Sequence, residues 1–257
     1  QTLRVRECAL VCCGKHVRTN PWRGQTANMS ALSLHGLLAD ERKAHADFIN
    51  LRTESLYGRD EIQQRMLGYV FAGSNNIAVA LQGRGAEALA HPHIVRVILA
   101  YCADDEHRLL LLEGNAGAGK SALIASCANS LRRRMPHARL FYHFVGAGAG
   151  STDLVRLLRR CWLELAPSLA MPPSEDGLVR GAVDMLARAG RSGGVVLLID
   201  ALNQLDVDTE LEWLPSVLPP GVRCIVSAIS GTPSHTVACR RFVPQRVQVG
   251  PLHVAAR

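Results

Sequence analysis

Along the chain, the apolar and polar positions change their spacing from a loose helical period to the alternation of strands and helices. Over residues 30–51, Leu34, Leu37, Leu38, Phe48 and Ile49 share one helical face approximately, with Asp40 to Lys43 on the exposed side, so a helix is predicted there. After Tyr57-Gly58-Arg59, Asp60 is placed to cap a clearer helix whose stripe is Ile62, Met66, Leu67, Val70 and Phe71. Residues 72–92 lose the stripe and carry Gly73, Ser74, Asn75, Asn76, Gly83, Gly85 and Pro92, the marks of an insertion or linker. A second apolar helix is expected at 94–101. Beyond Glu106 short apolar runs alternate with amphipathic segments: strands near 108–112, 139–145, 195–199, 223–227 and 242–249, and helices near 121–134, 153–165, 177–189 and 209–214. Unbroken apolar strands separated by helices belong to a parallel sheet buried on both faces. The predicted fold class is therefore α/β, a doubly wound, mostly parallel sheet with helices on both faces and a helical N-terminal extension. The expected division is an arm and helix at 1–55, a pre-domain helix with insertion or linker at 56–107, the core at 108–252, and the start of a following lid at 253–257.

Composition sharpens this picture. With 257 residues, against roughly 150 per domain, one α/β domain with an appendage is expected. At 48% hydrophobic and 20% charged, the chain is neither disordered nor fibrous. The apolar runs 109–112 and 195–199 fall far short of the roughly 18 residues of a membrane span. The first residue is Gln1, and the apolar patch 8–13 is too short for a secretory leader, so an excerpt of a cytoplasmic protein is expected. The net charge of +7 rests on scattered arginines with three lysines, Lys15, Lys43 and Lys120. Arg132 to Arg134 and Arg159-Arg160 are read as solvated helix ends and faces. Nucleic-acid binding is not expected, since no aromatic or helix-turn-helix module accompanies the charge. No two of the eight cysteines have zinc-knuckle spacing. Cys8, Cys12 and His16 can share a helical face, but no fourth ligand is signposted, so the cysteines are read as small core residues.

Directly after the first predicted strand comes Gly114-Asn115-Ala116-Gly117-Ala118-Gly119-Lys120-Ser121, the glycine, lysine and serine spacing of a P-loop. Small residues let backbone N–H groups close around phosphate oxygens, and the helix that follows adds its positive end. Lys120 is expected on the β and γ phosphates and Ser121 on Mg²⁺. Eighty residues past Lys120, the run from Val195 to Ile199 delivers Asp200 at the carboxyl edge of a buried strand, where open α/β sheets bind ligands. Asp200 is expected to serve the same metal, through water.

Past that strand the chain reads Ala201-Leu202-Asn203-Gln204-Leu205-Asp206. Asn203 and Gln204 can orient a water, but a neutral amide is a poor general base, with Asp206 as a possible substitute. Slow or absent hydrolysis is expected unless another group or subunit supplies the base. Ser227, at the tip of a later strand, is a candidate γ-phosphate sensor or a strand-end serine satisfied by backbone. The loop from Gly146 to Gly150 lacks lysine and is read as a flexible connector.

Several stretches resemble the NACHT-type branch of the STAND signalling NTPases, especially the versions in nephrocystin-like and telomerase-associated repeat proteins. They are Leu56-Tyr57-Gly58-Arg59-Asp60, Gly114 to Ser121, Phe144-Val145-Gly146 with Ser151-Thr152-Asp153-Leu154, Leu197-Leu198-Ile199-Asp200-Ala201-Leu202-Asn203-Gln204-Leu205, and Trp213-Leu214-Pro215 with Leu218-Pro219-Pro220-Gly221-Val222. The resemblance spans about residues 40–252. It implies an ATP-controlled switch with Tyr57, Gly58 and Arg59 near the adenine and ribose, and a helical and winged-helix lid downstream. Region 72–107 is longer than the usual link, suggesting an insertion or unspliced segment. The resemblance also implies ATP or ADP and Mg²⁺ as ligands, with self-association or protein partners through C-terminal repeats outside this chain. The expected function is a Mg-ATP-binding switch of a multidomain signalling or scaffold protein; the alternative is a productive ATPase acting on its own bound ATP.

Overall fold

Leucines at 109–112 and the run 195–199 are buried along their whole length, as strands covered on both faces must be. The structure, a computed structural model, describes residues 31–53, 59–72, 109–134, 139–206, 210–242 and 244–250. The chain divides into two compact units, residues 1–37 and 38–257. Of the first, the opening of one helix is described. In chain order the elements are α1 (Ala31–Thr53), α2 (Asp60–Ala72), β1 (Leu109–Gly114), α3 (Lys120–Arg134), β2 (Arg139–Phe144), α4 (Leu154–Leu165), α5 (Glu175–Arg191), β3 (Val195–Asp200), a 3-10 turn (Leu202–Gln204), β4 (Val222–Ile229), α6 (Pro233–Phe242) and β5 (Gln245–Gln248).

The five strands lie in the order β2-β3-β4-β1-β5, and every pairing is parallel. Alternation sorts the side chains onto two faces. Leu110, Leu112, Phe144, Val196, Leu198 and Ile225 pack with α2, α3 and the later part of α1. Leu109, Leu111, Phe141, Leu197, Ile199, Cys224 and Val226 pack with α4, α5 and α6. The fold is thus the doubly wound α/β sheet predicted from the pattern. Register places the chemistry: Ile199 sits opposite Val226 and Leu112 opposite Ser227, so Asp200 and Ser227 reach the same level. By parity both face α3, whereas Glu113 faces α6.

Side chains close the outer edge of β2, which would otherwise offer unpaired backbone groups. The Phe144 N–H donates to Nδ1 of His45 at 3.3 Å, and Arg160 donates to the Tyr142 carbonyl at 2.6 Å. Arg160 also donates to Glu164 at 2.8 Å and to His143 Nδ1 at 3.2 Å, with its guanidinium over Phe141. Its burial, with 1% exposed, corrects the solvated-face reading of that arginine. Arg132 to Arg134 do end α3 at the surface.

Two further corrections concern elements. The helix expected at 209–214 does not form over the described residues 210–214, which are irregular, with a turn at 212–213. Leu211 has φ +52°, and Leu211, Trp213 and Leu214 are buried, so their apolar spacing reflects insertion into the core rather than a helical stripe. Conversely, the expected strand at 242–249 begins at Gln245, because α6 runs through Phe242. Pro233 in its first turn and Arg240 and Arg241 in its last were the available signals. Asp60 is the first residue of α2 rather than its cap, since the Gln63 N–H bonds the Arg59 carbonyl. The helix expected at 94–101 and the group Cys8, Cys12 and His16 lie outside the described residues.

Candidate functional site

Between β1 and α3 the chain must reverse tightly, and glycines at positive φ do this: Gly114 at +154°, Gly117 at +76° and Gly119 at +91°. Asn115, Ala116 and Gly117 form an exposed lip, and a Cβ at Gly117 or Gly119 would meet open space. Helix α3 begins at Lys120, and its first turn directs main-chain N–H groups into this concavity. The Lys120 ammonium lies across the loop, donating to the Gly114 and Asn115 carbonyls at 2.8 Å each. Burial lowers its pKa from the ordinary lysine value, and the nearby Asp200 carboxylate opposes that shift.

Asp200 is buried at the end of β3. Ser227 donates to its Oδ1 at 2.5 Å, and the same hydroxyl accepts the Ala201 N–H at 2.8 Å. The Ser121 side chain lies close enough to the Asp200 carboxylate to favour its charged form. Burial raises the Asp200 pKa above the usual carboxylate value, against the pull of Ser121, Ser227, Lys120 and the Ala201 amide. Ala201 itself adopts a left-handed conformation, φ +59° and ψ +52°, a strained turn for a residue with a Cβ. Lys120, Ser121, Asp200 and Ser227 therefore meet at one point on the α3 face, although 106 residues of chain separate Ser121 and Ser227.

The other predicted residues are arranged around this point. Arg59 donates from Nη2 to the Ala118 carbonyl at 3.0 Å and to the Gly250 carbonyl at 2.6 Å, while its buried Nε has no hydrogen-bond partner. Tyr57 and Gly58 lie outside the described residues. Asn203 accepts the Ile229 N–H at 3.2 Å, which commits its carbonyl oxygen to joining the two strand tips. Gln204 is exposed and leans over Gly146, where a Cβ would lie 2.8 Å from its Oε1. Asp206 accepts from Thr152 Oγ1 at 2.6 Å. The Gly146 to Gly150 segment connects β2 to α4 through turns, in which the Ser151 hydroxyl accepts the Gly146 and Gly148 N–H groups and donates to the Gly148 carbonyl.

Sequence reasoning passed over Glu113, the residue before the loop. Arg246 of β5 donates to both its oxygens at 3.0 and 2.7 Å, and His235 of α6 donates to Oε2 at 2.7 Å. Burial pushes the Glu113 pKa up, but these donors outweigh it and hold it below the ordinary value. A carboxylate closing an otherwise apolar strand was the visible signal.

A triphosphate and a divalent metal fit this donor set. The loop offers an open cradle and an ammonium that bonds its own carbonyls; Ser121 and Asp200 bring a hydroxyl and a carboxylate together.

Comparison with known proteins agrees with this chemistry. The NACHT domain family matches residues 108–257, more than half of the chain. Tetratricopeptide repeat protein 41 of Rattus norvegicus is 27% identical over 161 residues, covering 56% of this chain and 12% of its own. NACHT domain- and WD repeat-containing protein 1 of Homo sapiens is 30% identical over 139 residues, 49% of this chain and 9% of its own. Telomerase protein component 1 of Mus musculus is 32% identical over 138 residues, 48% of this chain and 5% of its own. The chain thus spans a small part of the length of these relatives. Among solved structures, it is similar to a chain of the E. coli MS115-1 HORMA:CdnC:Trip13 complex, at 15% identity and TM-score 0.45, over 81% of this chain and 68% of that one.

Proposed function

The chain belongs to the NACHT family, and from that premise we propose that it is a Mg-ATP-binding switch module of a larger signalling or scaffold protein, with slow or no hydrolysis. The observation that carries this is the convergence of Lys120 and Ser121 with Asp200 at the mouth of a glycine-built loop. We assign the loop from Gly114 to Gly119 to the phosphates, with Lys120 exchanging its carbonyl partners for phosphate oxygens. Ser121 and Asp200 are assigned to Mg²⁺, which when bound neutralises phosphate charge. Ser227 orients Asp200, and Tyr57, Gly58 and Arg59 are assigned to the nucleoside side.

Slow turnover follows from the residues past β3. Asn203 is a neutral amide with its oxygen engaged by Ile229, and the Asp206 carboxylate is engaged by Thr152. Gln204 is left as the group that can orient a water, not deprotonate it. Its exposure favours the second reading, a productive ATPase, if a partner supplies a base. The repeats in the relatives' names support protein partners outside this segment, and we place the protein in the cytoplasm. Among the described residues no helix is long and apolar enough to cross a membrane.

Titration of the chain and of Lys120→Ala with ATP and ADP tests the proposal. Binding by the wild type and a loss of about 100-fold or more in the variant are expected, while equal, negligible binding in both contradicts it. A single slow turnover supports the switch; sustained phosphate release that collapses in Asp200→Asn supports the ATPase.

A further inference from the structure

Glu113 precedes the phosphate loop by one residue, yet its side chain faces away from Lys120, into a junction of three elements. Arg246 grips it with a two-pronged contact, Nε to Oε1 at 3.0 Å and Nη2 to Oε2 at 2.7 Å. On α6, His235 meets Oε2 through Nε2 at 2.7 Å. The Gly231 N–H donates to the other ring nitrogen at 3.3 Å, so the proton of the neutral ring sits on Nε2 and is directed at Glu113. Cys239 lies one turn along α6, its sulfur 3.7 Å from His235 Nε2, so ligand atoms of three types fall within 4.8 Å of one another. A metal would need the Nε2 lone pair and a carboxylate oxygen. The first carries the proton and the second is taken by Arg246, so hydrogen bonds rather than a metal account for the cluster.

The main chain at this position is engaged as well. The Val249 N–H donates to the Glu113 carbonyl at 2.7 Å. Gly114 packs so closely on the Val249 carbonyl oxygen that a Cβ would collide with it. Arg59 joins the Ala118 and Gly250 carbonyls. The end of β5 is therefore fastened to the phosphate loop at Glu113, at Gly114 and at Ala118, by three contacts of different kinds.

We propose that Glu113 is a positioning residue that couples the phosphate loop to the segment leaving β5, through Arg246 and with His235 as its second anchor. By linkage, a ligand that orders the loop also orders residues 245–250, and whatever fixes that segment changes the affinity of the loop. The ligand half of this coupling rests on the nucleotide reading above; the mechanical half does not.

Hydrogen exchange of the whole 257-residue chain separates the two, comparing wild type, Glu113→Gln, Arg246→Gln and the double variant, with and without Mg-ATP. Without nucleotide, the hydrogen-bonded amides of the loop and of the helix that follows it, Ala118 and Leu123, are expected to exchange about five- to tenfold faster in each single variant, and no faster in the double. Their rates are expected to be insensitive to low denaturant, as for local opening, whereas those of β3 and β4 rise with denaturant and exceed wild type by no more than each variant's loss of global stability. With Mg-ATP, protection at 114–121 is expected to spread to 245–250 in the wild type and to stay at the loop in Arg246→Gln. Unchanged loop rates in the single variants, additive effects in the double, or equal protection of 245–250 in wild type and Arg246→Gln would overturn the coupling. Absence of any protection by Mg-ATP in the wild type would sink the nucleotide reading instead, with the nucleotide-free comparison still deciding the coupling. Should Glu113→Gln not fold, Arg246→Lys replaces it: Arg246 is a half-exposed side chain, and a lysine keeps the charge but loses the fork, so loop rates between wild type and Arg246→Gln are expected.

Discussion

Two buried carboxylates end neighbouring parts of the same sheet, and they are treated in opposite ways. Glu113 has two cationic or N–H partners on its two oxygens, and its pKa is held down. Asp200 has the Ser227 hydroxyl for a partner, with Ser121 nearby and a lysine whose hydrogen bonds go to the loop carbonyls, and burial raises its pKa. A carboxylate saturated by an arginine fork is finished as a structural element. One that is surrounded by hydroxyls and disfavoured as a bare anion keeps capacity for a further positive charge. Burial alone does not distinguish a strut from a binding site; the identity of the donors does.

The largest effect should come from the residue between loop and strut. Gly114→Ala would set a Cβ against the Val249 carbonyl at φ +154°, and a loss of about 3 kcal/mol or more is expected, seen as a fall in the thermal midpoint by calorimetry. Glu113→Gln removes the charge that satisfies Arg246 and His235. Because Arg246 is 53% exposed, water compensates part of the loss, and about 1–2 kcal/mol is expected in denaturant unfolding. Asp200→Asn, by contrast, should leave stability within about 0.5 kcal/mol of wild type or raise it, since it removes a disfavoured buried charge. A destabilisation of Asp200→Asn as large as that of Glu113→Gln would erase the distinction.

Stability against pH sharpens the same contrast. The folded pKa of Glu113 lies below its ordinary value of 4.5, so its contribution is complete above that value and is lost as pH falls through the lowered one. Asp200 is raised from 3.8, so the wild type gains on Asp200→Asn as pH falls and loses ground as pH rises through the raised value. The advantage of wild type over Glu113→Gln should therefore shrink below about pH 4.5. Difference curves of thermal midpoint against pH, with opposite slopes for the two variants, would show this. Their shared acid lability cancels in such differences. Burial holds the pKa of His45 at about 2 and that of His143 at about 3, so both take up protons on unfolding as pH falls below 6.5.

Smallest of all should be Asn203→Asp. One oxygen can still accept the Ile229 N–H, while the other adds a carboxylate beside the strand tips. Little change in stability and, under the switch reading, a modest rise in ATP turnover of about two- to tenfold are expected in a phosphate-release assay.

The loop and Asp200 were legible in the sequence because their chemistry is written locally: eight contiguous residues in one case, an apolar run closed by an acid in the other. The Glu113 junction was not, because its donors lie 122 and 133 residues away and one of them stands on α6, whose mostly polar sequence carries too short an apolar stripe to announce a helix. Arg160 was misread because helical spacing does not reveal that a sheet edge needs a donor at that point. The 209–214 segment failed for the converse reason. Its leucines and tryptophan are spaced by the cavity they fill, and Leu211 at positive φ breaks any helix.

Affinity for ATP, measured by calorimetric titration in Mg²⁺ and in excess chelator for wild type and Asp200→Asn, tests the central assignment most directly. Tighter binding in Mg²⁺ by about tenfold or more for the wild type, with that gain lost in Asp200→Asn while binding in chelator persists, is the predicted result. An equal gain from Mg²⁺ in both proteins, or no ATP binding by the wild type under either condition, would contradict it.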